Sequence, residues 1–196
     1  LRRRGIPNWG VFGRKDLQGG GPLIDIGVHA LEMTHYAMGS PLPVAASGST
    51  YSYLGDKPST VLSAMPNWDH KNYTVEDLAV GQIRFANGAT LHIESSFAAH
   101  IEKNQMGFTL MGEKGGASFD PPCLFRDMND HMVSINPDWL PSGPTADCFG
   151  IKLRDFVDHA LYGKPTRAPG EHGLMVQKML DGIYASAEKG HEVKIT

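Results

Sequence analysis

Asp25 and His29 stand four residues apart in the stretch Gly19-Gly20-Gly21-Pro22-Leu23-Ile24-Asp25-Ile26-Gly27-Val28-His29. On a helix that spacing puts both side chains on one face. A carboxylate beside an imidazole is a proton-transfer pair. Histidine changes charge near neutral pH, and a neighbouring carboxylate fixes its tautomer and raises its basicity. The same spacing also describes a plain surface pair, worth roughly 0.2–0.5 kcal/mol. The apolar surround of Leu23, Ile24, Ile26, Val28, Leu31 and Met33 favours the chemical reading. A helix apolar on most sides is buried, and a buried acid and imidazole need a partner or a task. Glu32 falls on the same face. Asp25, His29 and Glu32 could therefore hold a hard divalent ion in a metal-assisted lyase or hydrolase, but zinc sites usually carry more nitrogen or sulfur. No metal is expected.

These side chains need a helix to hold them. Pro22 suits a first turn, where its missing N–H has no partner to lose. A helix is expected from Pro22 to Met38, capped by Gly39 and stopped by Pro41 and Pro43. Residues 1–18 read as an extended, glycine-punctuated entry. Within it Trp9 and Phe12 either cover the core edge or wall a ligand site. Arg2-Arg3-Arg4 is a solvated strand end or an anion contact. Arg4, Trp9 and Lys15 are the expected substrate contacts.

The rest reads as a scaffold. A strand is expected over Val44–Leu54 and a long polar loop over 55–75. Residues 79–85 and 89–97 alternate around Asn87-Gly88, which predicts a hairpin with a type I′ turn. Further strands are expected at Gln105–Gly112, Ala117–Asp120, Leu124–Arg126, Met132–Ile135 and His191–Thr196. Helices are expected around Leu153–Leu161 and over Gly170–Lys189. Grouped strands and grouped helices indicate an α+β fold: an open, mostly antiparallel sheet with helices packed on one face. The polar face of the sheet would meet solvent or another subunit.

A chain of 196 residues, 41% hydrophobic, has enough apolar material for one core, and residues 1–196 are read as a single domain. A net charge of −3 and a pI near 6.3 give no reason to expect nucleic acid or an anionic membrane as partner. Cys123 and Cys148 form neither a C-x-x-C nor a disulfide framework, which suits a reducing, cytoplasmic compartment. No apolar run reaches the roughly 18–20 residues of a membrane span. The opening at Leu1, with no initiator Met, reads as part of a longer protein. The sequence has no G-x-G-x-x-G, P-loop, G-x-S-x-G or H-E-x-x-H.

Arg3-Arg4-x-Gly-Ile-Pro-x-Trp-Gly, followed by Gly-Gly-Gly-Pro-Leu-Ile-Asp-Ile-Gly-Val-His-Ala-Leu-Glu, resembles the second half of the Gfo/Idh/MocA oxidoreductases. The tail Gly182-Ile183-Tyr184-x-Ser186-Ala187-Glu188-x-Gly190-x-Glu192-Val193 is similar to the C-terminal helix and strand of that family. The resemblance implies a glyceraldehyde-3-phosphate dehydrogenase-like C-terminal domain, paired in the family with an N-terminal Rossmann domain that carries NAD or NADP and a catalytic lysine. It implies Asp25 and His29 as catalytic residues, and Gly19, Gly20 and Gly21 as the loop beside the nicotinamide. It implies a sugar or polyol substrate and a homo-oligomer built through the sheet face. The family commonly has Asp where this chain has Glu32. The implied activity is hydride transfer between nicotinamide and a hydroxyl carbon, with this chain inactive alone. The alternatives are the metal-assisted enzyme and a stand-alone carbohydrate-binding or dimerisation module.

Overall fold

A computed structural model describes residues 1–59, 65, 67–138 and 147–196. The chain forms two compact units, one of residues 1–108 and 175–196 and the other of residues 109–174.

The first unit is a four-stranded sheet with helices on one face. Its strands are β1 (Pro43–Tyr51), β2 (Leu78–Phe85), β3 (Thr90–Ser96) and β8 (Val193–Lys194), in the order β3-β2-β1-β8 and antiparallel throughout. Alternation sorts the residues. Ala46, Ile83 and Leu91 lie in one row and point inward; Ser47, Gln82 and His92 lie in the next row and point out. The inner row packs with Leu23 and Leu31 and with Val176, Met179, Leu180 and Ile183 of α4 (Gly170–Lys189) into one core. Gly48 and Gly81 are paired across β1 and β2. A Cβ on either would come within 2.6 or 2.7 Å of Ile183. The bare backbone there lets the helix seat against the sheet.

The hairpin between β2 and β3 differs from expectation in its turn. Gly88 has φ +87°, but Asn87 is not left-handed. The Gly88 N–H donates to Phe85 O at 3.0 Å. This is a type I turn followed by a left-handed glycine, the three-residue hairpin loop, in place of type I′. One left-handed residue suffices because the loop has an extra residue to close the strands.

The second unit holds a separate sheet. β4 (Thr109–Gly112), β5 (Gly115–Ser118), β6 (Cys123–Met128) and β7 (His131–Ile135) form an antiparallel meander in chain order. The strands therefore divide into two sheets, where the sequence suggested one. Helix α3 (Cys148–Tyr162) begins at Asp147, whose side chain accepts from the Gly150 N–H at 2.8 Å, and ends at left-handed Gly163. Its Phe149, Leu153, Phe156 and Leu161 are exposed. No described helix is long and apolar enough to cross a membrane.

The first helical segment also departs from expectation. It opens with a π turn over Leu23–Gly27 and becomes α-helical only from Val28 to Ala37, here α2. A short helical turn, α1 (Lys15–Gln18), precedes it. His35 is buried at the other end of α2, stacked on Phe85 with its ring Nε2 2.8 Å from Pro41 O. It closes the helix and is not a site residue.

Candidate active site

The three glycines are held where they are by a residue far along the chain. Glu76 is buried in the strand-ward end of the polar loop. Its carboxyl oxygens accept from the N–H of Gly21 at 2.9 Å and of Leu23 at 3.2 Å, and from the hydroxyl of Tyr184 on α4 at 2.8 Å. These are N–H groups that a helix start leaves without partners. A Cβ on Gly21 would fall on the Glu76 carbonyl, and one on Gly20 would fall on the Tyr184 hydroxyl. Burial first, and Glu76 second, push the Tyr184 hydroxyl above its ordinary range, so it stays a donor. Next along the chain, the Asp77 carboxyl accepts from the N–H groups of Tyr53, Leu54 and Gly55 at 2.6–2.9 Å. The pair Glu76-Asp77 therefore builds two turns at once.

Ser95 on β3 secures the same region from below. Its hydroxyl donates to Pro22 O at 2.8 Å, and Gly27 lies against its side chain. The π turn carries Asp25 to the surface edge of this platform, half-buried, while His29 one turn later is exposed. The imidazole is thus open to a ligand, where the sequence suggested a buried one. Burial raises the Asp25 carboxyl above the ordinary aspartate range, against the opposing pull of Arg3 and then His29.

Arg3, read in the sequence with Arg2 and Arg4 as a solvated strand end or an anion contact, is the one of the three that meets the Asp25 carboxyl. Its guanidinium lies 3.7 Å from Asp25 Oδ2 and stacks over the ring of Phe97, 5.3 Å from its centroid. Phe97 meets Phe12, and Phe12 meets Trp9, both edge to face. An aromatic chain thus runs from Trp9, 57% exposed, to the acid. Arg4 goes elsewhere: its guanidinium donates to Ile101 O at 3.3 Å. Lys15 is exposed, and its N–H is tied to the Thr74 hydroxyl at 2.8 Å. Trp9 and Asp25 are thus linked through Phe12, Phe97 and Arg3, and His29 acts on Asp25 by charge, while the Arg4 guanidinium is anchored to another segment and Lys15 is held to Thr74 only by its backbone.

Of the three glycines only Gly19, at φ +89°, is exposed; Gly20 and Gly21 are buried. The helix start already has the Glu76 carboxyl on its N–H groups, so a pyrophosphate has no cradle there. Gly19 is the exposed edge of this turn. Among the described residues no three His, Cys, Asp or Glu side chains group to hold a metal, Asp25, His29 and Glu32 included.

The oxidoreductase family, C-terminal alpha/beta domain, matches residues 2–195. The chain is 35% identical over 198 residues to a D-glucoside 3-dehydrogenase of Escherichia coli (strain K12), covering all of this chain and 54% of that protein. It is 29% identical over 114 residues to a levoglucosan dehydrogenase of Pseudarthrobacter phenanthrenivorans, covering 55% of this chain and 29% of that protein. The chain thus spans about half the length, or less, of these curated relatives. A solved levoglucosan dehydrogenase, in complex with NADH and levoglucosan, superposes with a TM-score of 0.71 at 22% identity, over 99% of this chain and 56% of that one. At that identity the likeness is one of fold.

Proposed function

Because this chain belongs to the Gfo/Idh/MocA oxidoreductase family, as its C-terminal alpha/beta domain, we propose that it is the substrate-binding and catalytic half of an NAD(P)-dependent sugar or polyol dehydrogenase. The observation that carries this reading is the exposed imidazole of His29 one turn beyond the half-buried carboxyl of Asp25. NAD(P), when bound, supplies the hydride acceptor. The residues of this chain handle the proton. His29 takes it from the substrate hydroxyl as the carbon–hydrogen bond gives up its electron pair and the C–O bond becomes a carbonyl. Asp25 orients the imidazole and balances the positive charge it gains. Trp9 offers an apolar face of the kind sugar rings stack on, with the exposed Lys15 as an outer polar contact and Arg4 reaching a substrate only on leaving Ile101 O. Gly19, at the head of Gly19-Gly20-Gly21, faces the nicotinamide.

Residues 1–196 act on this reading as one substrate-binding and dimerisation domain. The row Ser47, Gln82 and His92 on the outer sheet face is where a second copy docks to give a homo-oligomer. The relatives named above are dehydrogenases of a glucoside and of levoglucosan, which supports a carbohydrate substrate.

The test is oxidation of a panel of glycosides, aldoses and polyols by the intact enzyme with NAD+ or NADP+, read as formation of the reduced nicotinamide. Turnover that depends on His29 is expected. Absence of oxidation with every member of the panel, or an activity that loses water from the sugar without reducing the cofactor, would overturn the assignment.

A further inference from the structure

The three consecutive arginines have three different fates. The entry strand is pinned by its backbone: Arg2 exchanges N–H···O bonds with Gln105 at 3.0 and 2.9 Å, and the Arg3 N–H donates to Ser96 O at 3.0 Å. Extended chain turns alternate side chains to opposite sides. Arg2 goes to Glu94 at 3.4 Å and Arg4 to Ile101 O. Arg3 alone is turned to the π turn, where it lies on Phe97 with Nη1 3.6 Å from Met65 Sδ and Nη2 3.7 Å from Asp25. Its Nε is buried and has no acceptor among the described residues. The stack, Met65 and Asp25 thus set where the guanidinium lies, with no competing carboxylate among the described residues.

We infer that Arg3 is a positioning residue whose positive charge keeps Asp25 a carboxylate beside His29. Arg3 and Asp25 are only 18% and 24% exposed at their side chains, so water screens the pair less than it would an exposed one. The separation of 3.7 Å is longer than a hydrogen bond. The coupling is therefore one of charge, and the planar fork of arginine is not what it requires. Burial alone drives Asp25 toward its neutral form, in which it would hold a proton instead of accepting one from the imidazole. Arg3 and His29 are the charged or titratable groups that act on Asp25. β3, packed against the π turn, presents Ser95, which does not titrate in the working range. Arg3 in turn loses basicity through its own burial, and Asp25 restores part of it. The two charges support each other.

The inference rests on the dehydrogenase reading only for its kinetic arm. In the intact enzyme, the pH dependence of kcat/KM is measured for the wild type and for Arg3→Met, Arg3→Gln and Arg3→Lys. Arg3→Met and Arg3→Gln are expected to move the acid limb to higher pH and to lower turnover near that limb by about tenfold or more, the factor per pH unit on such a limb. Arg3→Lys, which keeps the charge, is expected to hold the limb near its wild-type place. If Arg3→Met does not fold, Arg3→Gln, which keeps a polar end on an uncharged side chain, carries the same test. The second arm needs no turnover: the Asp25 carboxyl is titrated by carbon NMR, assigned with Asp25→Asn. Its midpoint should rise on loss of the Arg3 charge and return with lysine. An unmoved midpoint, or a lysine variant displaced as far as the methionine one, would overturn the role of Arg3. Loss of the dehydrogenase reading would leave the titration to decide alone.

Discussion

The hydroxyl of Tyr184 donates to Glu76 Oε1 over 2.8 Å. That bond joins α4, near the end of the chain, to the turn that presents Asp25 near its start. The same carboxyl group holds the Gly21 and Leu23 N–H groups. The position of the proposed proton-transfer pair is therefore set by residues about 50 and 160 positions downstream, through hydrogen bonds from two backbone N–H groups and one hydroxyl onto a single carboxyl group.

Glu76→Gln should destabilise the fold by about 1–3 kcal/mol, because an amide turns an N–H toward donors that need an acceptor. Tyr184→Phe removes one of three bonds and should cost less, about 0.5–1.5 kcal/mol. Urea unfolding midpoints at constant m check both. A midpoint for Glu76→Gln equal to the wild type would mean that the turn is held by other contacts.

Gly21→Ala should cost more than Gly20→Ala. The added methyl on Gly21 meets the Glu76 backbone carbonyl, which cannot swing aside, whereas on Gly20 it meets the end of a tyrosine side chain. Overpacking of this kind costs about 1–3 kcal/mol. Thermal unfolding of the two variants, side by side, gives the order.

His29→Ala should lower turnover by about 10²–10⁴, the scale of general acid–base catalysis, while leaving the unfolding midpoint close to wild type, since the ring is exposed. Initial rates and circular dichroism on the same preparation separate the two effects. A large loss of stability would show that the ring supports the fold.

Asp25→Asn should stabilise the fold at neutral pH while reducing turnover. Burial raises the Asp25 carboxyl in the folded state, so the native chain holds a proton at pH values where the unfolded chain has lost it. Stability then falls as pH rises from the ordinary aspartate value through the raised one, and the penalty is complete above it. The asparagine variant escapes that penalty. Its advantage in Tm should be largest at neutral pH and shrink as the pH is lowered through that window.

The helix that carries Asp25 and His29, the long helix α4 and the first hairpin were legible in the sequence because their signals are local: apolar period, a proline at the start, Asn87-Gly88 between alternating runs. The π turn was not legible, since one extra residue in a turn leaves no mark in the apolar pattern around it. Glu76-Asp77 fall between the polar loop read over 55–75 and the alternation read from 79, and drew no expectation. Their burial follows from N–H groups at positions 21, 23 and 53–55 that arrive only in the folded chain. Acids placed immediately before the alternation that starts at Leu78 were the available signal. Arg3 could not be told from Arg4 by residue type. Backbone pairing of Arg2 and Arg3 beside β3 decides which of the run faces Asp25. The division of the strands into two sheets depends on long-range pairing and was equally out of reach.

The π turn over Leu23–Gly27 amounts to one residue more than an ordinary helix would use. Deleting Ile26 or Gly27 would let the backbone regularise and would leave Asp25 and His29 three apart on an ordinary helix, still neighbours but about 60° apart around the axis. The two groups would face each other differently without either having been replaced. At this place the count of residues, and not only their types, sets how acid and imidazole meet.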